Sequence, residues 1–318
     1  MNSNLKVLHV NDVANVASSL VEVANANGRA WRLHEIPHPS PEMPRWKTVA
    51  ARVLDLVDFR RMRHSAEVLH IHYGPNGYYG FQSEIPFVLH IHGSDLRRDL
   101  HHPVLGVIER AALKRADAVL YSTPDLRSAL QEIRPDAQYF PNPLPAEVLS
   151  YNPAIEPIPG RVFCNFRFDD TKGGRALIAE VGKLVSAGVE VYGLDWGIYA
   201  EDARQAGIIL HPLMNLSDYL SELAKSQLVI GQHWLGSLGM SDLQTLAVAR
   251  PLVAFSLDEQ VPMAHSTIKT VAEEAQKLLD DPLACRELGE RGRNWVIAHH
   301  DPRQLIQRLE VLYNGLLK

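Results

Sequence analysis

The chain is poor in cysteine. Cys164 and Cys285 are the only two among 318 residues, and they lie far apart. This excludes a disulfide scaffold and a thiolate metal site, and it points to a reducing, cytoplasmic setting. Basic excess is also missing. The formal net charge is −5, which argues against a general nucleic-acid binder. No apolar run reaches the ~20 residues that a membrane span requires. The opening stretch, MNSNLKVLHVND, lacks the apolar core of a signal peptide. No repeat recurs at solenoid spacing. What remains is 46% hydrophobic and 22% charged, the composition of a soluble globular chain long enough for two domains.

Short apolar runs alternate with helical periodicity. KVLHV, AWRLHEI, EVLHIHYG, PFVLHIHG, DAVLYS and AQYF read as strands, with helical segments between them. Strand–helix alternation of this kind predicts a parallel sheet covered on both faces. The rhythm breaks between Pro141 and Pro159, a stretch holding six of the 20 prolines, and this reads as an interdomain linker. Alternation then resumes with RVFCNF, VEVYGL, IILH, QLVIGQ and PLVAF as strands. From about Val271 onward the pattern is helical. The expected architecture is α/β, with two Rossmann-like parallel-sheet domains facing a central cleft. Their expected limits are 1–145 and 160–300, with a terminal helix over 301–318 packing back toward the first. Ligands of such sheets bind beyond the carboxyl ends of the strands.

Five stretches carry candidate chemistry. In CNFRFDDTKGG, Arg167 and Lys172 follow the first strand of the second domain. A guanidinium fork and a mobile ammonium suit phosphate oxygens, although two solvated loop cations would read the same way. In GSLGMSDLQ, Gly236 and Gly239 permit close backbone approach, and a helix starting near Ser241 would offer free N–H groups to an anion. The plainer reading there is a helix capped by Ser241 or Asp242. The pairs His70/His72 and His90/His92 each place two imidazoles on one strand face. They could ligate a metal, but no carboxylate or thiolate completes a set, and polar strand ends explain them as well. In HGSDLRRD, His92 stands at a strand tip, Ser94 or Asp95 could cap the next segment, and Arg97 and Arg98 could pair with acids or touch phosphate. Last, the basic helix Arg45–His64 carries Trp46, Val49, Val53, Leu56 and Phe59 at helical spacing. It reads either as a solvated outer face or as a peripheral contact with anionic lipid.

In their order along the chain, these motifs resemble the GT-B glycosyltransferases of the retaining, family 4-like group. VLHVNDVANVASSLVEVANANG is similar to the family's opening strand and acceptor-side helix. The His-Gly strand ends, ADAVLYSTPDL, YFPNPLP, FRFDDTKGG, SDLQTLAVARPLVAF and the terminal helices follow in the same sequence. The family's paired glutamates fall at Gly236 and Gln244, so both acids are absent here. NDVANVA also lacks the glycine pair usual near the acceptor.

The resemblance implies a hexosyltransferase that moves sugar from a nucleoside-diphosphate sugar to an acceptor with retention of configuration. The acceptor would be a glycan, a lipid-linked molecule or a small molecule, in polysaccharide or glycoconjugate biosynthesis. His92, Arg167 and Lys172 are the implied catalytic residues. Gly236, Ser237, Leu238, Gly239, Met240, Ser241, Asp242 and Gln244 would hold the donor, with Leu213, Met214 and Asn142. No cofactor or metal is implied beyond the sugar nucleotide, which is a co-substrate. Two other readings stay open. One is a catalytically degenerate relative that binds sugar nucleotide or partners another transferase. The other is a metal-dependent hydrolase built on the two His-x-His strands.

Overall fold

A computed structural model describes residues 5–37, 43–151 and 155–318. The chain divides into two compact units, residues 1–145 with 302–318, and residues 146–301. The second unit therefore starts inside the proline-rich stretch. Its residues 152–154 lie outside the described ones, as do residues 38–42 of the proline-rich loop in the first unit.

The first unit opens with β1 (Val7–Val10), α1 (Val16–Ala26), β2 (Arg32–His34), α2 (Arg45–Arg63) and β3 (Val68–His72). A 3₁₀ segment over Gly74–Gln82, which periodicity does not reveal, leads to β4 (Phe87–Ile91). Then come α3 (Ser94–Arg97), α4 (Leu105–Arg115), β5 (Ala118–Tyr121), α5 (Arg127–Gln131) and β6 (Gln138–Tyr139). All pairings are parallel, in the order β2-β1-β3-β4-β5-β6. The strands are buried on both faces, which is why they read as unbroken apolar runs and not as alternating ones. One core layer joins Leu69, Ile71, Leu89 and Ile91 to Phe59, Tyr79 and Leu113. The other joins Val7, Leu20, Trp31 and Val68 to Leu305, Ile306, Leu309 and Tyr313.

The second unit contains α6 (Ala146–Ser150), β7 (Ile158–Cys164), α7 (Gly174–Ser186), β8 (Glu190–Leu194), α8 (Ala200–Gln205) and β9 (Ile209–His211). It continues with α9 (Leu216–Lys225), β10 (Ser226–Ile230), α10 (Met240–Ala247), β11 (Leu252–Ala254), β12 (Ala264–His265), α11 (Val271–Leu279) and α12 (Pro282–His300). The last helix, α13 (Pro302–Leu316), returns to the first unit. The second sheet is also parallel, in the order β12-β11-β10-β7-β8-β9.

Read from the first strand of each unit, these are doubly wound orders. The winding reverses between β1 and β3 in one sheet and between β7 and β10 in the other. Such reversals open a crevice at the carboxyl ends of the strands, where ligands of this fold class bind.

Candidate functional site

In the second unit the residues beyond β7 and β10 are tied together at the reversal. Asn165, the first residue after β7, is buried. Its amide donates to Asp242 Oδ1 at 3.1 Å and to Thr245 Oγ1 at 2.9 Å, both on α10. Lys172 ends a short 3₁₀ turn, and its carbonyl accepts the N–H of His233 at 3.0 Å. The Lys172 ammonium thereby reaches the mouth of α10. A Cβ built on Gly239 would sit 3.8 Å from Lys172 Nζ.

The helix starts one residue earlier than expected. Gly239 is its N-cap and Met240 its first residue, so neither Ser241 nor Asp242 caps it. Asp242 instead occupies the third helical position and turns back, its carboxylate accepting the Gly239 N–H at 2.8 Å. Burial raises the Asp242 pKa, while Gly239, Lys172 and Asn165 pull against that rise. Asp242 is thus a buried structural acid with its lone pairs committed, and it presents no free carboxylate to a ligand.

The loop between β10 and α10 is organised by Gln232, a residue the sequence did not single out. Its side-chain oxygen accepts the N–H groups of Trp234 at 2.9 Å and Leu235 at 2.8 Å, and its nitrogen donates to the Ser237 carbonyl at 2.6 Å. Gly236 has φ +65, and a Cβ there would lie 3.0 Å from two Leu257 side-chain atoms. A side chain at 236 would therefore meet both backbone strain and a steric neighbour. This accounts locally for the missing acid. Beside the loop, His233 donates from Nδ1 to the Gly231 carbonyl at 2.9 Å and accepts at Nε2 from Ser266 at 2.7 Å, and burial pushes its pKa down to about 4.

The remaining donor-side candidates disperse along this edge. Arg167 pairs with Asp169 and lies 5.4 Å from the Trp196 ring centroid, its side chain 40% exposed. Leu213 is exposed and Met214 half-buried in the segment after β9, two strands from β7. Ser237 is buried, and Leu238, Met240, Ser241 and Gln244 are half-buried. Lys172 is therefore brought to Gly239 and Asp242, whereas Arg167 is held by Asp169 and Trp196.

In the first unit the reversal between β1 and β3 is lined with imidazoles. Strand register sets His9 beside His70, and His72 beside His90. His92 follows β4 immediately. His9, missed because it sits in a four-residue apolar strand, joins the four histidines of the two His-x-His pairs. His9 Nδ1 lies 3.1 Å from His72 Nε2, and His72 Nδ1 lies 3.0 Å from His92 Nε2. A second line runs from the Tyr313 hydroxyl to His70 Nδ1 at 2.5 Å, and from His70 Nε2 to His90 Nδ1 at 3.3 Å. Burial pushes the His9 pKa down to about 3 and that of His92 to about 4; it lowers His70, His72 and His90 well below the usual value.

Two overlapping trios, His9–His70–His72 and His72–His90–His92, have ring nitrogens within 4.8 Å of one another. The separations of 3.0–3.3 Å are those of N–H···N hydrogen bonds between neutral imidazoles.

Neighbouring acids fix the His92 loop. Asp95 is buried and accepts N–H groups from His92 (3.0 Å), Gly93 (2.6 Å), Leu96 (3.0 Å) and Gly74 (3.1 Å). Arg97 pairs with Asp125 and Arg98 with Asp99, so both arginines are engaged with acids. Asn142 faces His92 and favours its protonated ring. Glu109, also absent from the sequence reading, is fully buried, with neither carboxylate oxygen hydrogen-bonded. Burial first, then Asp95 and Asp99, raises its pKa to about 8. Gly74 packs against it so closely that an added Cβ would lie 2.3 Å from Oε1.

The apolar positions of α2 do not share one fate. Phe59 is buried and Leu56 partly so, while Trp46, Val49, Val53 and Leu54 are exposed. Among the described residues, no helix is long and apolar enough to cross a membrane.

No curated protein matches this chain. Solved structures do. Sucrose-phosphate synthase (tll1590) from Thermosynechococcus elongatus aligns at a TM-score of 0.71 and 15% identity, over 98% of this chain and 99% of that one. Anabaena Alr3699/HepE, solved with UDP and glucose, aligns at 0.71 and 12%, over 98% and 100%. An alpha-glucosyltransferase, solved with UDP and a mismatched 13-mer DNA, aligns at 0.71 and 14%, over 99% and 100%. Residues 14–143 match the glycosyl transferase 4-like domain family. Over residues 14–143 the chain thus carries a glycosyl transferase 4-like domain, and its two doubly wound parallel sheets share the fold of these solved structures.

Proposed function

We propose that the chain moves a hexosyl group from a nucleoside-diphosphate sugar to an acceptor hydroxyl with retention of configuration. The observation that carries this reading is the meeting of the Lys172 ammonium with the Gly239 mouth of α10, at the carboxyl ends of β7 and β10. A diphosphate lying there would meet one mobile cation and the free N–H groups of the first helical turn. Both stabilise charge as it develops on the leaving group, and fixed donors of this kind typically lower a barrier by ~3 kcal/mol each.

The chemistry then needs no carboxylate nucleophile. The bond from the anomeric carbon to the diphosphate oxygen breaks. The acceptor oxygen bonds the same carbon on the same face, and its proton passes to the departing diphosphate. Asp242 is not available as a nucleophile, being buried and bonded to Gly239 and Asn165. Arg167 would have to leave Asp169 to reach a phosphate, so we assign it a secondary role. Uridine nucleotides are the first donors to try, because two of the similar structures hold UDP.

We place the reaction in the cytoplasm, in polysaccharide or glycoconjugate biosynthesis, where the free thiols Cys164 and Cys285 stay reduced. The outward stripe of Trp46, Val49 and Val53, with Lys47 beside Trp46, favours a lipid-linked acceptor over a free glycan or small molecule. Co-sedimentation with anionic vesicles should be strong for the native chain and weak for Val53→Asp.

The deciding experiment incubates the protein with a panel of sugar nucleotides and candidate acceptors. Release of nucleoside diphosphate is followed, and the anomeric centre of the product is read by NMR. The closed environment of Gly236 favours one rival, a degenerate relative that binds sugar nucleotide without using it. That rival predicts nucleotide-dependent thermal stabilisation and no product from any pair.

A further inference from the structure

A transverse line of hydrogen bonds joins the carboxyl ends of the second sheet, and the proposed reaction leaves it without a role. Ser266 directly follows the edge strand β12, and its N–H donates to the Ala254 carbonyl of β11 at 3.0 Å. Its hydroxyl meets Nε2 of His233, in the loop after β10, at 2.7 Å. The His233 N–H reaches the Lys172 carbonyl, in the turn after β7, at 3.0 Å. The line thus crosses four neighbouring strands and ends on the residue whose ammonium meets the mouth of α10.

Its protons have one arrangement. The Gly231 carbonyl can only accept, so His233 Nδ1, which faces it at 2.9 Å, carries the ring proton. A neutral imidazole then has its lone pair at Nε2, and the Ser266 hydroxyl donates to it. Both ring nitrogens are satisfied, and the ring is buried. Burial also keeps it uncharged, lowering its pKa to about 4. Residue 233 is thereby held at three points, the two ring nitrogens and the backbone N–H. Next to it, the Gln232 carbonyl accepts the Phe255 N–H at 3.1 Å, which fixes the same stretch from β11.

We propose that His233 and Ser266 are positioning residues for Lys172. Their bond fixes the backbone of residue 233, whose N–H sets the Lys172 turn and so aims the ammonium at Gly239. Both are buried, and neither is assigned a contact with the ligand. The bearing on catalysis rests on the glycosyl-transfer reading; the tie itself does not.

The test labels the full chain with ¹³Cε-lysine, with Lys172→Arg assigning the signal, and titrates it with UDP and with inorganic pyrophosphate. His233→Leu removes both ring bonds and keeps the N–H. It should shift the Lys172 signal of the free protein and weaken UDP about tenfold, the equivalent of ~1.4 kcal/mol. His233→Gln, whose side-chain oxygen can still accept from Ser266, should recover most of both. Should His233→Leu not fold, Ser266→Ala puts the same question from the far end, with a shifted Lys172 signal and a loss of about threefold. His265→Phe, on the same edge strand, should leave both readouts unchanged. The deciding comparison is made in Lys172→Ala. With the ammonium gone, His233→Leu or Ser266→Ala should cost no further UDP affinity, whereas a loss unconnected with Lys172 would add to the first. Additive losses would overturn the proposal. So would a Lys172 signal and a UDP affinity indifferent to both variants. A native chain that binds neither UDP nor pyrophosphate would fail the transfer reading, and the tie would then stand or fall on the Lys172 signal of the free protein.

Discussion

The two winding reversals of this molecule occupy the same place in two parallel sheets, yet they are furnished in opposite ways. Beyond β7 and β10 lie the ammonium of Lys172 and a helix mouth at Gly239. At β1, β3 and β4 lie five imidazoles kept uncharged by burial. The difference follows from solvent. Lys172 stays half-buried, whereas His9, His70, His72 and His90 are sealed under Trp31, Phe140 and Tyr313. One topology therefore carries an ammonium beside a helix mouth in one unit and a cluster of uncharged imidazoles in the other. Fold alone does not decide which.

Three substitutions bear on this contrast. The largest effect is expected from Lys172→Ala. Turnover with the best donor should fall by about 10²–10³-fold, the usual consequence of losing one transition-state donor. A drop of less than tenfold would move the grip elsewhere, with Arg167 the next residue to change.

Next comes Glu109→Gln, which asks whether the first unit holds its ionisable groups neutral. The folded carboxyl titrates at about 8 and the unfolded one near 4.5. Between those values the folded chain keeps a proton that the unfolded chain has released. Stability is therefore greatest below the lower value, declines as pH rises through the window, and levels above the higher one. Glutamine removes this slope. The buried histidines act on both chains alike, so the readout is the difference: between pH 6 and pH 8, denaturant titrations should show native stability falling by about 2 kcal/mol relative to the variant, since each unit crossed is worth ~1.4 kcal/mol. A native–variant difference that is the same at both pH values would mean that Glu109 is charged and solvated.

The smallest effect belongs to Gly236→Ala. The left-handed backbone and the nearness of Leu257 should cost ~1–2 kcal/mol in a thermal or denaturant midpoint. Because Lys172 is untouched, turnover should change less than in Lys172→Ala. A neutral substitution would show that the loop tolerates a side chain, and the absence of an acid at 236 would then need another explanation.

The strand–helix order was legible because buried parallel strands and amphipathic helices leave strong periodic signatures. Lys172 and the glycine loop each admitted a plainer reading in the sequence, and only the fold brings them side by side at α10. His9 was hidden inside VLHV, where one polar residue in a short apolar run signals nothing without its cross-strand neighbours. Gln232 and Glu109 were hidden because their roles exist only through burial by distant elements. The cap of α10 was misread because Asp242 serves the helix from its third position, reaching back to Gly239, and not from the capping position itself. The apolar spacing of α2 was real, but spacing cannot say which members face the sheet: Phe59 does, and Trp46 does not.

The return of α13 bears on how the chain is made. Leu305, Ile306, Leu309 and Tyr313 cover the layer formed by Val7, Leu20, Trp31 and Val68. Translation releases that layer long before its cover, with all of residues 146–301 to be synthesised in between. During that interval the nascent first unit carries a bare apolar floor and a His70 without its phenol. A premature stop before Pro302 would leave it so permanently. A lesion in the α13 stretch of the coding sequence would thus appear as aggregation of a part translated earlier.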